Sequence, residues 1–338
     1  MDPRHPSVMT MPRTGGNGER KDDVHASPTM IWTALSAVYI IWGTTYLAIR
    51  VSNETLPPLI AAGIRFFIAG AILYAVTVRR GDVEGDRPTR TNWIAAGLVG
   101  AGLVAGGNGL VVLAEVTLPS GIISLIIALV PLWMALVDRV LLRRRVGWVT
   151  TFGLILGFGG AALLIGVTAF DGAAPLSGML IGVLASLSWT CGSLYSRNAP
   201  LPKRPLVGAG MEMMVGGAIL VVAGMLRGEI PLIRFEDFSA ASLLALTYLI
   251  TIGSWVGYTS YVWLLRNART SLVSTYAYVN PVVAVFLGWL ILHETVTIRT
   301  IAAGAVIVIA VAIIISTNRP SERDEPAEPE SAAKEAVA

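Results

Sequence analysis

Residues 58–73 read PLIAAGIRFFIAGAIL and residues 205–220 read PLVGAGMEMMVGGAIL. Eight of the sixteen positions are identical, without a gap, at an offset of 147 residues. Both stretches lie in apolar segments long enough to cross a bilayer. An internal duplication of membrane segments is a common way to build transporters.

Working outward, the duplication extends along the chain. Trp42 and Arg50 match Trp189 and Arg197 at the same offset. Later the offset becomes 150: Ser124 matches Ser274, Pro131 matches Pro281 and Leu142 matches Leu292. Ten apolar segments are predicted, near 31–50, 59–78, 92–114, 119–140, 147–168, 177–196, 206–226, 241–265, 271–291 and 297–317. Their length demands helices, because barrel strands are shorter and alternate polar with apolar residues. The domain reading is a disordered cytoplasmic tail over 1–29, a first five-helix repeat over 30–168, a second over 177–318, and a second cytoplasmic tail over 319–338. The join is the short stretch near 168–176.

Composition agrees. The 338 residues are 54% hydrophobic and 14% charged, well below the quarter expected of a soluble domain. Thirty-five glycines suit closely approaching membrane helices. A net charge of +3 gives no support for nucleic-acid binding. One cysteine, Cys191, and three histidines, His5, His25 and His293, provide no disulfide framework and no metal site. Cys191 reads as a small packing residue. No cofactor is expected.

The charges set an orientation. If the N-terminus lies on side one, that side holds 20 of the 25 Lys and Arg. The positive-inside rule then makes side one cytoplasmic and puts both termini inside. Five spans per repeat is an odd number, so the second repeat enters the membrane upside down. Inverted repeats exchange shapes about a central site, which is alternating access. The fold class is therefore an all-α membrane protein of ten helices in two inverted five-helix repeats.

Several residues stand out as candidates for handling a solute. Arg65 lies inside the second span, and its repeat partner is Glu212 in the seventh. A charge at bilayer depth faces a partner or a wet cavity. Either the pair lines the translocation path or one of them binds a charged group of the substrate, or each caps neighbouring backbone or snorkels toward its helix end; Glu212 is also a candidate proton carrier. Asn108, in a glycine-rich span, is a candidate for the cavity lining. Trp42, Tyr46, Trp189 and Tyr258 supply aromatic surface, with Trp42 and Trp189 favoured because the duplication kept both. Tyr278 and Asn280 precede Pro281, which should kink the ninth span, and Pro131 is its counterpart in the fourth. Glu115 ends the third span, either as a solvated helix end or as a gate.

These segments resemble a known family. YIIWGTTYLAIR at 39–50, AGIRFFIAG at 62–70, GNGLVVLAE at 107–115, LPSGIISLIIALVPLW at 118–133 and STYAYVNPVVAVFLGWLILHE at 274–294 look like the EamA-type exporters of the drug/metabolite transporter superfamily. The resemblance covers about residues 30–318. It implies a bacterial inner-membrane permease that expels amino acids, related metabolites or drugs. The small multidrug-resistance branch depends on a carboxylate in its first span, and residues 31–50 contain none.

The expected protein is a secondary exporter driven by an ion gradient or by exchange, since GxxxxGK[ST] is absent. A facilitative channel or exchanger is the alternative. An intramembrane enzyme would need a base beside a nucleophile. No histidine lies deep in a span, and Glu212 reads as the single deep carboxylate. The expected partners are a small-molecule substrate, the lipid bilayer, and a proton or counter-substrate, with the protein acting as a monomer or homodimer.

Overall fold

The computed structural model describes residues 27–79, 87–140, 147–170, 175–268, 270–273 and 275–317. The two tails and the centre of the join lie outside them. Among the described residues the chain is helical and contains no strand. We number the helices α1 (Pro28–Ser52), α2 (Pro58–Arg79), α3 (Arg90–Glu115), α4 (Ser120–Ile127), α5 (Val130–Val140), α6 (Trp148–Phe170), α7 (Leu176–Ser196), α8 (Pro205–Leu226), α9 (Ala240–Asn267), α10 (Thr270–Val273), α11 (Tyr276–Leu292) and α12 (Ile298–Thr317). Seven helical segments are long and apolar enough to cross a membrane: α1, α2, α3, Ser120–Val137, α7, α8 and α9. Shorter apolar stretches, Trp148–Leu164, Val279–Leu292 and Ile298–Ile313, occupy the places of the three other expected spans.

Helix starts follow local chemistry. Ser27 caps α1 by accepting from the Met30 N–H, and Pro28 suits the first turn. Thr89 and Asn92 form a capping box at the start of α3. The helices α2 and α4 begin after Pro57 and Pro119, which have no side-chain acceptor. Distant carboxylates serve instead. Glu229 Oε2 accepts from Leu59 N at 2.9 Å and Ile60 N at 3.0 Å. Glu294 accepts from Ser120 N at 2.8 Å, Ser120 Oγ at 2.9 Å and Gly121 N at 3.3 Å. Each cap comes from the loop that follows the repeat counterpart of the span it serves: α8 for α2, and the α10–α11 span for the α4–α5 span.

Packing follows the repeat. The helices α2 and α8 run antiparallel through glycines. A Cβ on Gly63 would lie 2.8 Å from Gly217 O, and one on Gly70 would lie 2.7 Å from Gly210 O. Gly63 is the counterpart of Gly210, and Gly70 that of Gly217, so the contact is reciprocal: each helix offers its counterpart the same two positions. Small residues allow this close backbone approach in membranes. Other contacts exchange in the same way: α1 meets α9 and α11, while α7 meets α3 and α4. The pair α6 and α12 packs together.

Two π-helical segments interrupt the regular helices at matching places, Ala101–Gly109 in α3 and Leu249–Tyr258 in α9. Each has a side chain bonded to a carbonyl five residues back: Asn108 Nδ2 to Leu103 O at 3.2 Å, and Ser254 Oγ to Leu249 O at 3.0 Å. Such widened turns concentrate at functional sites.

The two prolines behave differently. Pro131 follows a break at Ala128–Leu129 between α4 and α5. Pro281 sits inside an unbroken α11, whose N-cap is Thr275. Cys191 is exposed on α7, which corrects its reading as a packing residue.

Candidate functional site

A central cavity of about 50 Å³ lies between the repeats. Trp42, Thr45, Tyr46 and Ile49 reach it from α1, Arg65 from α2, Gly107, Asn108 and Val111 from α3, Ile127 from α4, Ala185 and Trp189 from α7, and Tyr276 from α11. Five of the residues singled out in the sequence, Trp42, Tyr46, Arg65, Asn108 and Trp189, are thus brought together.

Arg65 is 3% exposed. Its Nε donates to Ser254 Oγ at 3.1 Å, and its guanidinium lies 4.4 Å from the Phe66 ring centroid. A cation over a desolvated ring is favourable. Nη1 has no hydrogen-bond partner among the described residues. The site therefore holds a positive group with one donor arm unused.

Three aromatic rings of the lining, Trp42, Trp189 and Tyr276, pack with a fourth, Tyr261, behind them. Trp42 and Trp189, counterparts in the repeat, meet edge to face at 5.4 Å. Tyr261 lies 4.8 Å from Trp42 and 5.4 Å from Trp189, and Tyr276 lies 5.2 Å from Trp42 and 5.7 Å from Tyr261. Trp189 Nε1 donates to Tyr261 Oη at 3.3 Å, and Ser193 Oγ lies 3.1 Å from the same oxygen. Trp189 and Tyr261 hold each other in place through these polar tips.

A second cavity, of about 450 Å³, is lined by Glu212, Arg197, Lys203, Arg266, Leu103 and Val262 among others. Glu212 is buried and accepts from Tyr258 Oη at 2.8 Å. Arg266 Nη1 donates to Pro202 O and Lys203 O at 3.2 and 3.3 Å. Neither Glu212 nor Tyr258 lines the central cavity, and no ion pair joins Glu212 to Arg65 among the described residues.

At the opposite end from these basic groups, Arg50 Nη1 donates to Glu115 O at 2.5 Å and Asn53 Nδ2 to Val112 O at 3.1 Å. These bonds tie α1 to α3. Glu115 is 0% exposed, and neither carboxylate oxygen has a hydrogen-bond partner among the described residues. This overturns its reading as a solvated helix end and makes Glu115 a further buried carboxylate beside Glu212. Packing of α7, α2, α1 and α4 against the end of α3 removes Glu115 from water, which the local sequence does not reveal.

Asn280 is buried with Oδ1 unpartnered among the described residues, but it does not line either cavity. The Tyr278 side chain lies outside the described residues. Sequence reasoning missed Thr45 and Tyr261 in the site, and Glu229 and Glu294 as caps. For Tyr261 a signal existed: it follows Tyr258 by three residues on one helix, the spacing that stacks side chains on a face.

Similarity to known proteins agrees with this architecture. The EamA-like transporter family matches residues 28–166 and again residues 176–316. A protein of Escherichia coli K12 named as the uncharacterised inner membrane transporter YedA is 38% identical over 288 residues, 84% of this chain and 90% of the relative. YvbV, an uncharacterised transporter of Bacillus subtilis, is 24% identical over 280 residues, 83% of this chain and 90% of the relative. A solved chain described as "Crystal structure of protein" superposes with a TM-score of 0.60 at 20% identity, covering 87% of this chain and all of that one, which supports the fold. Two family matches, the membrane-length apolar helices and the relatives' names converge: the chain is a multi-pass membrane transporter and belongs to the EamA-like transporter family.

Proposed function

We propose that this protein is a ten-span secondary exporter of a small organic solute, such as an amino acid, a related metabolite or a drug, working by alternating access with both termini in the cytoplasm. The observation that carries the reading is the reciprocal glycine contact between α2 and α8. Counterpart helices that run antiparallel belong to repeats of opposite orientation, and the central cavity lies where such repeats meet.

The larger cavity lies at the basic end, which the positive-inside rule assigns to the cytoplasm. It serves as the entrance. The rings of Trp42, Trp189, Tyr261 and Tyr276 separate it from the central site, and the Arg50 and Asn53 bonds to α3 hold the outer end together. Arg65 and Asn108 would contact the solute. Exchange of one closure for the other moves the solute outward, driven by an ion gradient or by counter-substrate.

The test is flux in proteoliposomes loaded with a radiolabelled amino-acid mixture. A carrier gives saturable efflux and counterflow. Flux rising linearly with concentration, without counterflow, would replace the carrier reading with a channel.

A further inference from the structure

We infer that the solute is an organic monocarboxylate with a flat apolar body, recognised through its negative charge, and that an amino group on it is dispensable. The inference rests on the exporter reading and narrows its substrate class. Three observations carry it.

The first is the unused donor. Arg65 is buried at bilayer depth with Nη1 unpartnered among the described residues. A charge there is retained when something pairs with it. No carboxylate lines the central cavity among the described residues. Glu115 acts on Arg65 through its charge but hydrogen-bonds to nothing described, so it leaves the Nη1 donor open. The solute supplies the acceptor that this open donor lacks. A carboxylate suits a guanidinium because its two oxygens accept in the plane of the donors.

The second is what the lining lacks. An ammonium or a cationic drug would need an anionic partner in the cavity, and Arg65 would repel it. The remaining polar groups of the lining, Thr45, Tyr46, Asn108 and Tyr276, are uncharged. Trp42, Trp189 and Tyr276 offer flat apolar surface for the rest of the molecule. At about 50 Å³ the closed cavity is too small for such a body, so the rings must separate to admit it.

The third is the entrance. The larger cavity carries Arg197, Lys203 and Arg266 against one carboxylate, Glu212. A cleft with this excess of cations concentrates anions and repels cations.

Three probes with the same phenyl body isolate the charge: 3-phenylpropanoate, phenylalanine and 2-phenylethylamine. Binding to the purified full-length protein is followed by thermal stabilisation and by tryptophan fluorescence, since Trp42 and Trp189 line the site. The acid should bind at least as tightly as the zwitterion and about tenfold or more tighter than the amine, the effect of one charge-assisted bond in a buried site. Arg65→Gln should abolish the preference. The wild-type order of the three probes decides the charge class even where that variant does not fold. Tighter binding of the amine, no binding of the acid, or full acid binding by a folded R65Q protein overturns the assignment. Saturable transport of the amine without acid binding would leave the exporter reading intact and end this one. Arg65-dependent acid binding without flux would do the reverse.

Discussion

Arg65 and Glu212 occupy equivalent positions in the two repeats, carry opposite charge, and bind residues one turn apart on the same helix. Arg65 Nε donates to Ser254 Oγ at 3.1 Å, and Tyr258 Oη donates to Glu212 at 2.8 Å. Both partners belong to the π-helical segment Leu249–Tyr258. A movement of that segment therefore acts on both charges together. The repeat places them, but the second repeat alone supplies the element that connects them.

The Tyr258 hydroxyl keeps a buried carboxylate satisfied, so Tyr258→Phe should cost about 1–3 kcal/mol of stability. Glu212→Gln retains an acceptor without a charge. Adding it to the Tyr258→Phe protein should recover part of the loss, giving a coupling energy in a double-mutant cycle read by thermal melting. Additive losses would mean the bond contributes nothing.

Glu115 behaves in the opposite way. Its oxygens make no hydrogen bond among the described residues, and the cost of burying its charge outweighs the attraction of Arg50 and Arg65, so Glu115→Gln should leave the apparent melting temperature unchanged or higher. Glu229→Ala and Glu294→Ala should each lower stability by about 1–2 kcal/mol, because each removes the cap of a helix that starts after a proline. Melting curves of the three proteins in one detergent give the comparison.

Substitution at the helix crossing should be severe. In Gly70→Ala the new methyl group would lie 2.7 Å from the Gly210 oxygen, forcing α2 and α8 apart. Overpacking of this kind costs about 1–3 kcal/mol, and a backbone neighbour cannot rotate away. Gly159→Ala meets nothing within 4 Å and should be neutral or slightly stabilising. Folded yield on size-exclusion chromatography separates the two.

The proposed orientation predicts a labelling pattern. In a Cys191→Ala background, Arg234→Cys should react with a membrane-impermeant maleimide in intact cells. Thr89→Cys should react only after lysis. The reverse pattern would invert the assignment of entrance and exit.

Much of this was legible in the sequence because duplication records itself as identity at a fixed offset, and bilayer length records itself as apolar runs. Arg65, Asn108, Trp42, Tyr46 and Trp189 were found as polar or aromatic residues in apolar surroundings, and they meet at one cavity. Glu115 was misread because its burial comes from the packing of distant helices rather than from its neighbours in the chain. The π-helical turns were invisible for a related reason. Glycine at 253 and 257, or within AGGNG at 105–109, permits a widened turn without requiring one. Glu212 faces a different cavity and Tyr258, bonded to it, lines neither, a distinction that helix register within a span does not encode.

The two remote caps have a consequence for how the molecule is made. Both carboxylates lie in the second repeat and both helices they serve lie in the first. The ribosome must synthesise 174 further residues after Ser120 before Glu294 exists to bind it. The first repeat therefore leaves the translocon with two helix starts unfinished, and its completion waits on the last third of the chain. Fusion of the two halves has made the earlier one a dependant of the later.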